Sequence, residues 1–539
     1  MKKQLLLGAE AIALAAIDAG ISGVYAYPGT PSTEITEFIQ RSSVARQNGV
    51  RSRWSVNEKT AYEAALGMSY VGKRSLVCMK HVGMNVAADA FMCSASTGVH
   101  GGLVVVVADD PSMHSSQNEQ DTRAYGRFAY LPVLEPSNQQ EAYDATRYAF
   151  DLSEQVKLPV LLRITTRLSH SRAVIQQKTA REQNPLNPST DKNKWILIPS
   201  NARPNFAGLL DLQPQLAEIS EASIFNKVVE GKGPKAVIAF GLAFNYIMEV
   251  RQAEQLEIPV LKISQYPLPE QKVKAFVEKY DDILIAEEGY PIYEELLKGY
   301  LGNTKFRGRL DGALPRMGEL SPDALAKAFD VRHHEIKAIP QVVASRPPKL
   351  CPGCGHIDVF DAMNRLFESY PEKHVFSDIG CYALGALEPF QAISTCVDMG
   401  ASITMAKGAA DAGFHPAVAV IGDSTFTHSG ITGLLDAVND AVPVTIIISD
   451  NSTIAMTGGQ DSSATDKLFD ICKGIGVDEA HIRVIEPLKK NLHQNMAILK
   501  EEFEYKGVSV IIAQRECVQT MIQVKKAKRK TPDDITLSA

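Results

Sequence analysis

Short runs of aliphatic and β-branched residues alternate with Ala-rich and amphipathic stretches from one end of the chain to the other. The runs VYAYP (24–28), SLVCM (75–79), LVVVVAD (103–109) and PVLLRIT (159–165) read as strands. So do AVIAFG (236–241), IPVLKIS (258–264), ILIAEE (283–288), AVAVIGD (417–423), VTIIISD (444–450) and VSVIIAQ (508–514). Near-continuous Val/Ile strands joined by helical segments predict an α/β protein with mainly parallel sheets covered on both faces. In such sheets ligands gather beyond the carboxyl ends of the strands. The first residues, MKKQLLLGAEAIALAAIDAG, predict an Ala-rich amphipathic helix, because Glu10 and Asp18 interrupt the apolar run and no small-residue cleavage site follows it.

Two polar stretches mark boundaries: 176–195, rich in Asn, Pro and Lys, and 331–348, which ends in a Pro pair. They divide the chain into three modules, 1–190, 191–330 and 345–539, within the three or four domains that 539 residues suggest. The sequence is 45% apolar and 22% charged, with a formal net charge of −6. No apolar stretch is long enough to span a bilayer. The one basic run, VKKAKRK (524–530), reads as a solvated tail. Neither nucleic acid nor membrane is therefore an expected partner. Eight cysteines in so long a chain do not form an extracellular disulfide framework, and a reducing cytoplasm is expected.

The densest chemical signal is GDSTFTHSGITGLLDAVNDAVPVTIIISDNSTIAMTGGQ (422–460). Asp423 and Asn451 lie 28 residues apart at the ends of two strands expected to be neighbours. A carboxylate and an amide oxygen converging there suit Mg²⁺, which takes its remaining ligands from phosphate and water. A helix starting near Ser429 would offer its N-terminus to a phosphate. Gly-Asp alone would mark an ordinary turn; the paired spacing points to a site. The stretch resembles the thiamine diphosphate fingerprint, Gly-Asp-Gly followed further on by Asn-Asn. It departs from that pattern at Ser424 and Asp450, so Asn451 is the amide ligand that remains. In the fingerprint a main-chain carbonyl completes the metal set, here that of Thr453. Thiamine chemistry also needs a glutamate on the aminopyrimidine ring. WSVNEKTAYEAALGMSYVG (54–72) offers Glu58, between a short strand and a small-residue helix.

CPGCGH (351–356) admits zinc, a redox disulfide, an iron–sulfur cluster or a simple turn. Taken alone it favours zinc.

Together the motifs YPGTPSTEI (27–35), WSVNEKTAYEAALG (54–67), MKHVGMNVAAD (79–89) and VVADDPSMHSSQNEQDTR (106–123) resemble the 2-oxoacid:ferredoxin oxidoreductases. CPGCGH, SDIGCYALG (377–385), DMGASITMAKG (398–408) and the 422–460 stretch extend the resemblance over nearly the whole chain. It is strongest to the large subunits of the indolepyruvate type. The resemblance implies a thiamine-diphosphate-binding fold, with 1–190 as the pyrimidine module and 345–539 as the diphosphate module. The 191–330 segment is then a linker and a module like the transketolase C-terminal domain.

The implied reaction is oxidative decarboxylation of an aryl-2-oxoacid with coenzyme A. It gives an aryl-acetyl-CoA, CO₂ and reduced ferredoxin. By the same resemblance Glu58 meets the aminopyrimidine, Thr30 lines the substrate carbonyl and His81 donates to substrate or makes a structural hydrogen bond. Gly400 and Ala401 bring backbone close to the cofactor, with Gly422, Asp423, Ser424, Asn451 and Thr453 around the diphosphate. Asp423, Asn451 and Thr453 would hold Mg²⁺. One-electron oxidation needs a redox centre beside thiamine, and Cys351, Cys354, Cys381 and Cys517 match the family's [4Fe–4S] ligands. His356 is a candidate to face the diphosphate. Cys78, Cys93, Cys396 and Cys472 read as core cysteines.

The resemblance further implies a small beta subunit, ferredoxin as electron acceptor, and a homodimer of alpha or an alpha2beta2 assembly. Such large subunits continue into a ferredoxin-like domain with further clusters. This sequence ends at KRKTPDDITLSA (528–539) without another CxxCxxC run, so the onward electron path is expected in a partner or in ferredoxin itself. A non-redox thiamine decarboxylase or ligase, and a non-catalytic scaffold subunit, are the alternatives. The intact cysteines argue against the first. Glu58, Asp423 and Asn451, all present, argue against the second.

Overall fold

The apolar runs fold as the inner strands of three mainly parallel sheets. The computed structural model describes residues 2–188, 195–299, 302–331, 340, 342–344 and 348–529. Most of the 331–348 boundary, part of the 176–195 boundary, the final residues 530–539 and most side chains of VKKAKRK lie outside the described residues. The chain forms two compact units, Met1–Ala338 and Ile339–Ala539.

In the first unit, β1 (Lys3–Leu7) pairs antiparallel with β8 (Arg172–Gln176). A seven-stranded sheet follows, built from β2 (Gly23–Ala26), β3 (Arg51–Trp54), β4 (Ser75–Lys80), β5 (Leu103–Asp109), β6 (Val133–Leu134) and β7 (Val160–Thr165). The order is β12-β6-β7-β5-β4-β2-β3, all parallel except β12 (Gln265–Tyr266), which comes from the middle of the chain. A five-stranded sheet, β14-β13-β10-β11-β9, holds β9 (Lys227–Val229), β10 (Lys235–Phe240), β11 (Val260–Ile263), β13 (Asp282–Ala286) and β14 (Phe306–Arg307). One apolar cluster runs from Ala9 to Phe329 beneath both sheets. The middle segment thus shares its core with the first sheet and lends it an edge strand.

The N-terminus departs from expectation. Its first residues are a strand, and the helix that follows, Gly8–Asp18, is buried on every face except at Glu10. An amphipathic helix would leave a polar stripe to water. Here alanines let neighbours close in all round.

The second unit holds a parallel sheet in the order β15-β16-β17-β21-β20. Its strands are β15 (Val375–Ser377), β16 (Ala417–Gly422), β17 (Val444–Asp450), β20 (Ile482–Ile485) and β21 (Ser509–Gln514), with a small antiparallel pair, β18 (Thr453–Ile454) and β19 (Gln460–Asp461). Ala417, Ala419 and Ile421 enter one apolar cluster, while Val418 and Val420 enter another. That alternation is the period-two side-chain geometry of a strand covered on both faces.

A buried ionic network ties the two sheets of the first unit together. Arg163, on β7, donates from Nε to Asp109 Oδ2 (2.6 Å), pairs with Glu135, and donates from Nη2 to the main-chain oxygen of Glu288 (2.9 Å). Arg123 pairs with Asp121 (2.5 Å) and Glu287 (3.0 Å). Glu288 Oε1 accepts from the Leu320 amide (3.1 Å), while Oε2 has no hydrogen-bond partner. Burial pushes the carboxyls of Glu287 and Glu288 up to about 7 and that of Asp109 up to about 6.

For Glu288 the folded chain holds a proton that the unfolded chain releases. Its stabilising contribution is complete below about 4.5, the ordinary value, and is lost as pH rises through about 7. Glu288→Gln fixes the neutral form. Its melting temperature should gain on the wild type as pH climbs from 5 to 8, by on the order of 2–3 kcal/mol in stability. A difference that does not change with pH would contradict this.

Candidate active site

Each unit gathers polar residues at the carboxyl ends of its parallel strands. In the first, the chain leaves β3 and Asn57 caps the helix Glu58–Tyr70, its side chain accepting from the Thr60 amide (2.9 Å). Glu58 opens that helix and is buried. Gly83 makes room for it: a Cβ there would stand 2.5 Å from Glu58 Cγ and Oε1. His81 opens the helix His81–Thr97 and is buried, with Nε2 3.1 Å from the main-chain oxygen of Asn118. A carbonyl only accepts, so Nε2 carries the proton in this bond. Burial, and next the charge of Lys80, hold His81 below its ordinary pKa, which favours the neutral ring. Thr30, partly exposed in the turn after β2, accepts a long hydrogen bond (3.4 Å) at its main-chain oxygen from Ser115 Oγ.

In the second unit β16 and β17 are parallel neighbours, with Gly422 opposite Ser449. The helix after β16 begins at Asp423, not near Ser429. It runs as Asp423–Thr425, a π-helical turn over Phe426–Gly430, and Ile431–Asn439. The π turn interrupts the helix just after it leaves the strand; such turns recur at functional sites. Gly422 lies against Tyr382, whose ring would be 2.7 Å from an added Cβ.

Asp423 is buried, and its Oδ2 has no hydrogen-bond partner. Burial, reinforced by the charge of Asp450, pushes its carboxyl up to about 7. Ser424 Oγ is 3.2 Å from Ser462 Oγ. Asn451 Oδ1 accepts from the Thr453 amide (3.0 Å), and Thr453 Oγ1 donates to the Gln460 carbonyl (3.0 Å). An orphaned buried carboxylate oxygen beside a second carboxylate is what a divalent cation relieves. The amide oxygen of Asn451 keeps a second lone pair, so Asp423 and Asn451 fit Mg²⁺. Gly400, at φ +95°, packs against Ser429 and donates its amide to Asp378 Oδ2 (3.1 Å); Ala401 opens the helix Ala401–Asp411 behind it. Asp378 also accepts from the amide (3.2 Å) and hydroxyl (2.6 Å) of Ser402.

Cys351, Cys354, Cys381 and Cys517 line one cavity of about 120 Å³. Asp450, Asn451, His356 and Arg515 line it too. Gln519 Nε2 lies 3.3 Å from Cys351 Sγ. Burial pushes the Cys381 thiol up to about 12, with further increments from the other three cysteines and from Asp423. Among the described residues no three or more His, Cys, Asp or Glu side chains converge tightly enough for a single metal ion. His356 is buried against Tyr382, ring centroids 6.2 Å apart, and burial pulls its pKa down to about 4. Of the cysteines expected in the core, Cys78 and Cys472 are buried but Cys93 and Cys396 are exposed. Small neighbours in sequence do not imply burial when the residue lies on the outer face of a helix or in a loop.

Residues 14–213 match the family model described as pyruvate flavodoxin/ferredoxin oxidoreductase, thiamine diP-bdg. Residues 378–513 match the thiamine pyrophosphate enzyme, C-terminal TPP binding domain. The indolepyruvate oxidoreductase subunit IorA of Archaeoglobus fulgidus is 38% identical over 96% of this chain and 86% of its own length. That of Pyrococcus abyssi is 36% identical over 98% of this chain and 88% of its own.

The chain belongs to the indolepyruvate oxidoreductase IorA family.

It is thereby a large subunit of the 2-oxoacid:ferredoxin oxidoreductase class with thiamine diphosphate-binding domains. A 2-oxoglutarate synthase subunit, KorA of Methanothermobacter thermautotrophicus, is 28% identical over 32% of this chain and 47% of its own length. Among solved structures, the 2-oxoglutarate:ferredoxin oxidoreductase of Magnetococcus marinus shares the fold at TM-score 0.50 and 14% identity, over 61% of this chain and 65% of that one.

Sequence reasoning overlooked Gly83, Asp378 and Ser462. A glycine inside the first turn of a helix that follows a strand is the signal for Gly83. The strand-ending Asp of SDIG is the signal for Asp378. Gly83→Ala should displace the Glu58 carboxyl without unfolding the chain. Both Gly83→Ala and Glu58→Gln should slow exchange of the thiazolium C2 proton of bound thiamine diphosphate, followed by NMR, roughly 100-fold or more. Exchange at the wild-type rate in Glu58→Gln would remove Glu58 from that role.

Proposed function

We propose that this chain is the thiamine-binding large subunit of an enzyme that oxidatively decarboxylates aryl-2-oxoacids of the indolepyruvate and phenylpyruvate type. Coenzyme A is the acyl acceptor, and ferredoxin takes the electrons. The C1–C2 bond of the 2-oxoacid breaks to release CO₂, and a C2–S bond to coenzyme A forms. One proton and two electrons leave, reducing two ferredoxins and giving an aryl-acetyl-CoA.

The observation that carries this reading is the shared wall in the second unit. The four cysteines that match cluster ligands line one cavity with Asp450 and Asn451. Bound thiamine diphosphate supplies a nucleophilic carbon and an electron sink, and a [4Fe–4S] cluster supplies one-electron capacity. Asp423, Asn451 and Thr453 would hold Mg²⁺ on the diphosphate, with Gly400, Ala401, Gly422 and Ser424 shaping the space around it. Cys351, Cys354, Cys381 and Cys517 would hold the cluster. Glu58 would exchange a proton with the aminopyrimidine, while Thr30 and His81 would border the substrate. In this reading 1–190 binds the pyrimidine, 345–539 the diphosphate, and 191–330 is the linker and transketolase C-terminal-like module.

A small beta subunit, an alpha-alpha or alpha2beta2 assembly and a cytoplasmic setting complete the proposal. The relatives' names as subunits support a partner chain. Among the described residues no helix is long and apolar enough to cross a membrane.

With beta subunit added, indolepyruvate or phenylpyruvate should reduce viologen anaerobically, and only when coenzyme A is present. CO₂ release without viologen reduction would instead indicate a non-redox decarboxylase. Inertness toward every 2-oxoacid would indicate a scaffold.

A further inference from the structure

The first unit holds a buried cation that none of the roles above uses. Lys80 ends β4, one residue before His81, and is 8% exposed. Its Nζ donates to the main-chain oxygen (2.6 Å) and hydroxyl (3.2 Å) of Ser115, the residue that also reaches Thr30. On the other side Gly29 leaves it space, since a Cβ there would stand 3.2 Å from Lys80 Cβ. Three residues further on is Gly83, against Glu58. Lys80 therefore stands at the carboxyl end of the sheet, next to His81 in sequence and linked to Thr30 through Ser115.

The carboxylate whose charge acts on it, Asp110, forms no ion pair with it. Asp110 Oδ2 accepts from the Ser115 amide (2.8 Å) and Ser116 Oγ (2.5 Å), and Oδ1 accepts from Thr166 Oγ1 (2.6 Å). Burial accordingly pulls the Lys80 ammonium down to about 8. An ammonium carries three N–H donors, and both acceptors here belong to one residue. A 2-oxoacid entering this end of the sheet brings a carboxylate, and a desolvated carboxylate needs a cation. Glu58 and Asp110 are acidic, burial holds His81 below its ordinary pKa, and His170, which also feels Asp110, is already paired with Glu34 (3.2 Å), so among the described residues gathered here Lys80 is the cation left to meet a carboxylate.

We infer that Lys80 receives the carboxylate of the 2-oxoacid and sets the enzyme's selectivity for anionic over neutral carbonyl compounds. This rests on reading the chain as a 2-oxoacid oxidoreductase. Until substrate arrives, Ser115 holds the ammonium beside Thr30.

The test compares Lys80→Met and Lys80→Gln with wild type in the assembled enzyme. Gln can still donate to the Ser115 carbonyl, so it separates charge from loop support. Both variants should raise KM for indolepyruvate roughly 10- to 100-fold, the worth of one charged hydrogen bond, with a smaller change in kcat. Calorimetry with two unreactive probes, phenylpropionate and phenylpropionamide, supplies a readout independent of turnover. The carboxylate should lose affinity by a similar factor in Lys80→Gln while the amide is unaffected. An unchanged KM in Lys80→Gln, equal weakening of both probes, or no carboxylate preference in the wild type would overturn the inference. If the wild type turns over no 2-oxoacid yet binds phenylpropionate through Lys80, the functional reading falls and the carboxylate site stands.

Discussion

A carboxylate held out of water with one oxygen unanswered is costly, and Asp423 is such a group. Leaving a buried polar atom unsatisfied costs about 1–3 kcal/mol, more when it is charged. Asp423 cannot withdraw, because it begins a helix directly off β16, and Asp450 beside it adds charge of the same sign. Only a proton or a cation relieves the pair. The surrounding structure is arranged around this constraint: Gly422 and Tyr382 close one side, and β17 delivers Asp450 and Asn451 from the next strand in register. The cysteine cavity opens against the same two residues.

The first unit meets a similar constraint at larger scale. Its parallel strands end together, which concentrates Asp109, Asp110, Thr30, Lys80 and Glu58 at one edge. Arg123 and Arg163 neutralise part of that acidity from inside, tying the ends of β5 and β7 to the segment after β13. Cutting the middle segment away would therefore expose a half-neutralised network as well as remove an edge strand.

The strands most legible in the sequence were those that are buried on both faces, because continuous Val and Ile runs have no other home. The short edge strand β20, with Arg483 half-buried and Val484 exposed, carries no such run. The N-terminal helix was misread because alanine suits a helix whether it is half or wholly buried. The helix after β16 was placed late because its first turn is GDSTF, residues that favour turns, and its π turn has no sequence signature. The four cysteines came together only by family resemblance; the fold brings them to one cavity, Cys381 after β15, Cys517 after β21, and Cys351 and Cys354 at the start of the helix Gly355–Phe367. Gly83 and Asp378 carry positional signals in the sequence, but what each packs against shows only in the fold.

On the proposed function, the cysteine cavity beside Asp450 and Asn451 holds a redox cluster. Electron paramagnetic resonance on anaerobically purified, dithionite-reduced protein tests it most directly, with Cys381→Ser alongside. A [4Fe–4S] signal in the wild type that is lost or converted in Cys381→Ser is the predicted result. A colourless, signal-free wild type that carries stoichiometric zinc would contradict the account.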